Sequence, residues 1–262
     1  MTSIERIDEG NTQWVVEQLK SDVIRHVFAF YDIQYDVENT TMYAAVEAGT
    51  LRGYILIYQT LECPSVILES DAEIAKKLIE HAPADHFIMH APKDLLSQIE
   101  AKFPKAKHYV ENWMLLKKGE AKSFRSENVR RLDPADGSKL AALLSSRKNH
   151  AGSTERRCSD LIGRMPMYGI FIGDRLVSYA GSFIQMPQVW MIGGVYTHPS
   201  YRNRGYATLA TSAVTDEALG KSDVAALFAR SDNHSAIRAY EKIGYRKIGE
   251  RLWVDVGIGI RP

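Results

Sequence analysis

The sequence predicts an α/β fold built on a mixed β-sheet. Short apolar runs typical of strands alternate with stretches of helical periodicity along both halves of the 262-residue chain. In each half, two of these runs flank a short glycine-containing turn and predict a β-hairpin: residues 42–47 with 53–58, and residues 167–172 with 176–179. Further strand–helix alternation follows each hairpin, which indicates a sheet with helices packed on it.

The two halves of the chain show the same order of elements. Each hairpin follows a helical region, and each half ends in a helix and then a strand that contains a tryptophan, Trp113 or Trp253. A polar, charged stretch, KKGEAKSFRSEN, separates the halves. We therefore predict a duplicated fold with a first domain over 1–118, a linker over 119–127 and a second domain over 128–262.

The composition is that of an ordinary globular protein, with 45% hydrophobic and 25% charged residues. The 33 basic and 32 acidic residues give a net charge of +1, which argues against nucleic acid as the main partner. Cys63 and Cys158 are too few for a disulfide framework or a zinc cluster and are expected to be reduced. No signal segment or bilayer-length apolar run is present, so we expect a cytoplasmic protein without membrane contact.

The elements of the second half can be placed in order. A broken strand is predicted at 188–197, where Gly193 and Gly194 indicate a bulge or a close backbone approach. Gly220 and Gly244 are expected to end the two helices that follow. The full predicted order is a strand at 129–132, helices at 134–144 and 154–162, the hairpin, the broken strand, a helix to about 219, a strand at 223–230, a helix at 235–243 and strands in 246–257.

The loop between the broken strand and the next helix reads PSYRNRGYA. The first N–H groups of a helix lack intrahelical partners, and the helix dipole adds partial positive charge there. Gly205 allows the backbone to approach an anion closely, Ala207 keeps the first turn small, and Arg202 and Arg204 add positive charge. The loop therefore predicts a binding site for a diphosphate.

Two segments of the second half resemble the motifs of the GNAT acyltransferases. The first is Thr197-His198-Pro199 with Arg202-Asn203-Arg204-Gly205-Tyr206-Ala207, and the second is residues 233–245. The second segment matches through Asn233, Ala236, Tyr240, Lys242, Gly244 and Tyr245. The resemblance covers about 128–262 and implies a GNAT fold, acetyl-CoA as the acyl donor and no metal ion.

The resemblance also implies roles for individual residues. The N–H groups from Asn203 to Thr208 would hold the CoA diphosphate, and the pantetheine arm would pair with the backbone at Val195 and Thr197. The broken strand would splay from the following strand and admit the acyl group. The implied donor-binding residues are Val195, Tyr196, Thr197, Arg202, Asn203, Arg204, Gly205, Tyr206, Ala207, Thr208, Asn233, Ala236 and Tyr240.

Acyl transfer to an amine needs a proton for the departing thiolate and support for a developing oxyanion. We assign the proton to Tyr240, which shares a helix face with Ala236. The resemblance implies that Tyr240 would lie near the thioester sulfur. A backbone N–H at Tyr196 or Thr197 is the candidate oxyanion donor. The general base is left open between His198, Asp232, a water relay and no base at all, because residues 189–196 carry no carboxylate.

Two further side-chain groups were weighed for a role at the site. Cys158 is not expected to be an acyl-carrying nucleophile, since no histidine–carboxylate pattern accompanies it. Arg156 and Arg157 are either a solvated helix face or the docking point of an acceptor carboxylate.

The first half lacks the donor loop. Its corresponding stretch, Glu69-Ser70-Asp71-Ala72-Glu73, is acidic and would repel a diphosphate. We interpret this half as a degenerate GNAT-like copy that does not bind the donor, an arrangement similar to the glycine N-acyltransferase-like branch, in which the partner half helps to shape the acceptor pocket.

The predicted activity is transfer of an acetyl or short acyl group from acetyl-CoA to a primary amine, directly within a ternary complex. The predicted acceptor is a small-molecule amine or an amino acid. The alternatives are a non-catalytic acyl-CoA sensor and an acetyltransferase for protein amino groups. A monomer suits the duplicated chain, because two halves can mimic a dimer, and a dimer remains the alternative.

Overall fold

The structure, a computed structural model, describes residues 2–59, 63–147 and 153–258. It divides into two compact units. The first contains Met1–Asn112 together with Gly249–Ile260, and the second contains Trp113–Ile248. No helix in the described part of the chain is long and apolar enough to cross a bilayer.

The two halves of the chain have the same order of strands and helices. The first contains β1 (Ser3–Arg6), α1 (Thr12–Leu19), α2 (Val27–Tyr35), β2 (Thr40–Glu47), β3 (Thr50–Tyr58), β4 (Ser65–Glu69), α3 (Ala72–Leu78), β5 (Phe87–Pro92), α4 (Leu96–Lys102) and β6 (Lys107–Lys117). The second contains β7 (Val129–Arg131), α5 (Gly137–Ser145), α6 (Glu155–Arg164), β8 (Met167–Ile172), β9 (Arg175–Gln185), β10 (Trp190–Thr197), α7 (Tyr206–Lys221), β11 (Val224–Arg230), α8 (His234–Ile243) and β12 (Arg246–Val256). The predicted mixed α/β fold and its repeated order of elements are confirmed.

The last strand of each half of the chain joins strands of the other half: β6 lies beside β11, and β12 pairs with β5. In the first unit, strands β1 to β5 are consecutive neighbours, and β12 pairs antiparallel with β5 from Arg251↔Pro92 to Val256↔Phe87. In the second unit the order is β7-β8-β9-β10-β11, and β6 lies next to β11. The compact units therefore differ from the predicted domains: they divide at Asn112, and residues 249–260 group with the first unit because β12 pairs with β5.

The predicted linker, 119–127, packs on the second unit. Lys122 N–H donates to the carbonyl of Ile243 over 2.8 Å, and Phe124 N–H donates to the Ser212 hydroxyl over 2.8 Å. The Ser123 hydroxyl donates to the Asp216 carboxylate over 2.7 Å. The segment is therefore held against α7 and the end of α8, and it does not act as a free spacer.

Two buried clusters hold the sheet of the second unit between its helices. One joins α7 and α8 to the strands through residues such as Ala210, Val214 and Ile192. The other joins α5 and α6 through residues such as Leu140 and Tyr179. Consecutive β9 side chains contribute to different clusters, as expected for the two faces of a strand.

Glycine ends one of the two predicted helices but not the other. Gly244 has φ 118°, and its N–H bonds to the carbonyls of Tyr240 and Glu241, so it caps α8 as predicted. Gly220 lies inside α7, which ends one residue later with Ser222 as its cap. The prediction for Gly220 was wrong because this glycine keeps the helical conformation.

Candidate functional site

The second unit contains a cleft of about 870 Å³. Its walls are the end of β10, the loop into α7, the exposed side of α8 and the residues that follow α5. The predicted donor-binding residues line this cleft with the exception of Arg204, whose guanidinium lies 5.5 Å from the centre of the Tyr201 ring. Their role in binding the donor stays a prediction.

A β-bulge shapes the strand that forms the floor of the cleft. Gly193 pairs with Gly181 and Tyr196 pairs with Tyr179, so Gly194 and Val195 both face the single intervening residue of β9. Gly194 has φ 64°, a conformation that glycine adopts readily. The two glycines predicted to break this strand therefore lie at its bulge.

The strand beyond the bulge separates from β11. Parallel pairing between β10 and β11 ends at Ile192↔Leu227, although the strands continue to Thr197 and Arg230. The backbone of the last β10 residues can therefore offer N–H and C=O groups to an extended ligand. This is the separation of the two strands that the resemblance implied.

The loop after β10 presents the start of a long helix to the cleft. Asn203 and Gly205 have φ 61° and 78°, and α7 begins at Tyr206 with no side chain capping it. The N–H groups of the first turn are thus available to a ligand, and the helix dipole favours an anion there.

The corresponding helix of the first unit has a different N-terminus. Asp71 caps α3, and its carboxylate accepts from the N–H groups of Glu73 and Ile74 over 3.1 and 3.0 Å. These donors are engaged by the chain's own carboxylate. This observation supports the interpretation that the first half does not bind an anion at this helix.

Tyr240 forms part of the inner wall of the cleft. It is 6% exposed, and burial raises the pKa of its hydroxyl to about 12, so it is protonated at neutral pH. Its ring lies edge-on to Tyr245 at 6.2 Å, and the Tyr245 hydroxyl lies 2.8 Å from that of Thr215. Tyr240 is therefore held in a fixed, protonated state that suits a proton donor.

Asn233 has a structural role that the sequence analysis missed. Its side-chain oxygen caps α8 by accepting from the N–H of Ala236 over 3.2 Å and from the Ser235 hydroxyl over 3.0 Å. The side chain is thereby fixed at the end of the cleft where α8 begins.

Neither side chain considered as a general base lines the cleft. His198 Nε2 lies 3.0 Å from the Arg175 guanidinium, and burial followed by the charges of Arg175 and Arg202 lowers its pKa. The hydrogen bond from Arg230 lowers the pKa of Asp232, which makes this carboxylate a weak base. Among the described residues that line the cleft there is no aspartate, glutamate or histidine.

The structure adds polar lining residues that the sequence analysis did not predict as ligand contacts: Ser146, Arg147, Tyr201, Ser235, Arg238 and Lys242. Arg156 is exposed on α6 and does not line the cleft. Cys158 is buried, and burial raises the pKa of its thiol, in agreement with its rejection as a nucleophile. In the described parts of the chain, no group of three or more His, Cys, Asp or Glu side chains could hold a metal ion.

Known proteins are similar to the chain mainly in fold. Residues 167–254 match the family model described as FR47-like protein. No curated protein matches the sequence. A Drosophila protein of known crystal structure is 13% identical, with a TM-score of 0.77 over 97% of this chain and 98% of the other.

Two GNAT structures are similar over almost the whole chain. A GCN5-related N-acetyltransferase-like protein from Streptococcus suis is 12% identical, with a TM-score of 0.63 over 95% of this chain and 100% of the other. A tandem GNAT protein from the clavulanic acid biosynthesis pathway is 11% identical, with a TM-score of 0.62 over 98% of each chain.

Proposed function

We propose that this chain, which has the tandem GNAT fold, is an N-acetyltransferase that moves an acetyl or short acyl group from acetyl-CoA to a primary amine. Transfer is direct, within a ternary complex in the cleft of the second unit. The acceptor is a small-molecule amine or an amino acid, and the first unit does not bind the donor.

One observation carries the proposal. A single cleft contains the uncapped start of α7, the part of β10 that has separated from β11, and the buried hydroxyl-bearing Tyr240. These features match the successive parts of an acyl-CoA: a diphosphate, an extended amide-containing arm and a thioester. The packing of an ordinary domain does not require these three features to occur in one cleft.

The reaction uses few groups of the protein. The neutral amine forms a C–N bond with the thioester carbonyl carbon, and the C–S bond breaks. A backbone N–H at Tyr196 or Thr197 stabilises the oxyanion that develops on the carbonyl oxygen. Tyr240 gives its proton to the departing thiolate, and the proton lost by the amine nitrogen restores the phenol through solvent, so that one amide and one thiol are formed.

The test is release of CoA thiol from acetyl-CoA in the presence of amines, amino acids and basic peptides. We expect acceptor-dependent release and a product mass increased by one acetyl group. Basic peptides as the sole acceptors would identify a protein acetyltransferase. Tight acetyl-CoA binding without release for any acceptor would favour the non-catalytic sensor, for which the absence of a carboxylate among the described lining residues is the best support.

A charge placed at Gly205 should block the donor site without unfolding the protein. Nothing lies within 4 Å of a Cβ built at Gly205, and aspartate is among the residues that tolerate its φ of 78°. One added carboxylate about 4 Å from the diphosphate costs a few kcal/mol, so Gly205→Asp should weaken acetyl-CoA binding by about 100-fold. Calorimetric titration with acetyl-CoA measures the effect.

The matched control is Gly205→Asn, which has the same size and the same tolerance of positive φ but no charge. We expect its dissociation constant to lie between those of the parent and Gly205→Asp. Equal binding by the aspartate variant and the parent would remove the start of α7 from the donor site.

A further inference from the structure

Arg147 lines the cleft from a different wall than the other basic residues. It follows the end of α5, and its N–H bonds to the carbonyl of Leu144 over 2.9 Å, which continues the last helical turn. Arg202 belongs to the donor loop, where its Nε donates to the Thr197 carbonyl over 3.3 Å. Arg238 and Lys242 are four residues apart on α8.

The wall that carries Arg147 meets β10 at its bulge. The hydroxyls of Ser146 and Tyr196 lie 3.1 Å apart. Burial raises the pKa of Tyr179 to about 12, and the nearby Arg147 charge acts against that rise. A Cβ at Gly194 would lie 3.2 Å from the Tyr179 hydroxyl. Arg147 is therefore near the residues proposed to support the oxyanion, where an acceptor amine must arrive.

The charged side chains in the described lining of the cleft are all basic. Its described lining contains Arg147, Arg202, Arg238 and Lys242 and no carboxylate. A second ammonium group on the acceptor would have no counter-ion among these lining residues. A carboxylate on the acceptor could instead bind the Arg147 guanidinium, which has five N–H donors.

We propose that Arg147 binds a carboxylate on the acceptor, so that the acceptor is a primary amine that also carries a carboxylate, as an amino acid does. This inference rests on the proposed function and assigns the acceptor end of the same cleft. Arg147 thus acts in acceptor selection, while the donor is held by β10 and the start of α7.

The test compares amino acids with the amines that differ from them only by loss of the carboxylate: glycine with methylamine, alanine with ethylamine, and phenylalanine with 2-phenylethylamine. The parent should prefer the amino acid of its best pair. A charge-assisted hydrogen bond contributes about 1.5–3 kcal/mol, so Arg147→Gln should lower kcat/KM for that amino acid by about 10- to 100-fold, mostly through KM. Its effect on the paired amine should be small.

Two variants serve as controls. Arg147→Lys keeps the charge without the bidentate geometry and should restore part of the preference. Arg156→Gln removes an exposed arginine of α6 that does not line the cleft, and it should leave the preference unchanged.

Three outcomes would overturn the inference: equal use of both members of every pair, an unchanged preference in Arg147→Gln, or a matching loss of acetyl-CoA affinity in that variant. If no acceptor releases CoA thiol, the proposed function fails. Calorimetric titration of the same amino acids and amines into the CoA complex then tests Arg147 independently. If Arg147→Gln binds the amino acid as tightly as the parent does, Arg147 does not bind its carboxylate.

Discussion

Tyr240→Phe is expected to lower kcat by about 100-fold or more, since general acid catalysis contributes about 10²- to 10⁴-fold. The substitution removes only the hydroxyl, and the ring remains to pack against Tyr245. Because burial raises the pKa of Tyr240 to about 12, the parent protein keeps this proton across the neutral range. Acetyl-CoA affinity should change little, because the lost interaction forms mainly in the transition state.

The control is Tyr245→Phe, which removes a hydroxyl from the same buried cluster. The Tyr245 hydroxyl bonds to Thr215, and Tyr245 does not line the cleft. This variant should keep its kcat and lose about 1 kcal/mol of stability. Steady-state kinetics and acetyl-CoA titration of both variants separate the roles, and a Tyr240→Phe variant with the parent's kcat would remove Tyr240 from the proposed mechanism.

The elements that the sequence predicted well depend on local chemistry. The hairpins, the bulge at Gly193 and Gly194, and the cap at Gly244 follow from strand patterns and from backbone conformations that glycine adopts readily. The loop before α7 was recognisable for the same reason, since Gly205 has a positive φ and begins a long helix.

The features that the sequence did not predict depend on distant parts of the chain. The patterns of β6 and β12 identify each as a strand, but they do not specify which sheet it joins. Arg147 was missed because it lies outside the two segments that resemble family motifs, and only folding brings the end of α5 to the bulge of β10.

In the first unit, β4 has the place in the element order that β10 has in the second unit, and it likewise separates from its parallel neighbour near its end. Parallel pairing of β4 and β5 ends at Ile67↔His90, before β4 itself ends at Glu69. The Glu69 carboxylate is bound by Arg251 over 2.7 Å and by Arg25 over 2.5 Å. Arg251 lies opposite Pro92, the last residue of β5, so this ion pair joins the end of β4 to β12. A buried charge cluster thus lies at the end of β4, whereas the second unit has after β10 the loop that we propose binds the diphosphate.

Loss of this ion pair should destabilise the first unit strongly. Glu69 is 4% exposed and Arg251 is 8% exposed, so Glu69→Gln removes the negative charge of a buried ion pair. Breaking such a pair costs about 3–5 kcal/mol. Urea unfolding at pH 7 measures the loss. The control, Glu73→Gln, removes an exposed partner of Lys76 and should cost no more than about 0.5 kcal/mol.

The pH dependence gives this prediction a second readout. Burial alone would raise the pKa of Glu69, but the charges and hydrogen bonds of Arg251 and Arg25 lower it overall below its ordinary value. A carboxylate with a lowered folded-state pKa stabilises the protein above its unfolded-state pKa, and that contribution disappears as the pH falls through the folded-state value. The stability difference between the parent and Glu69→Gln should therefore be largest at pH 7 and shrink below about pH 4. A difference that stays constant down to pH 3 would mean that the carboxylate charge is not what stabilises this end of β4.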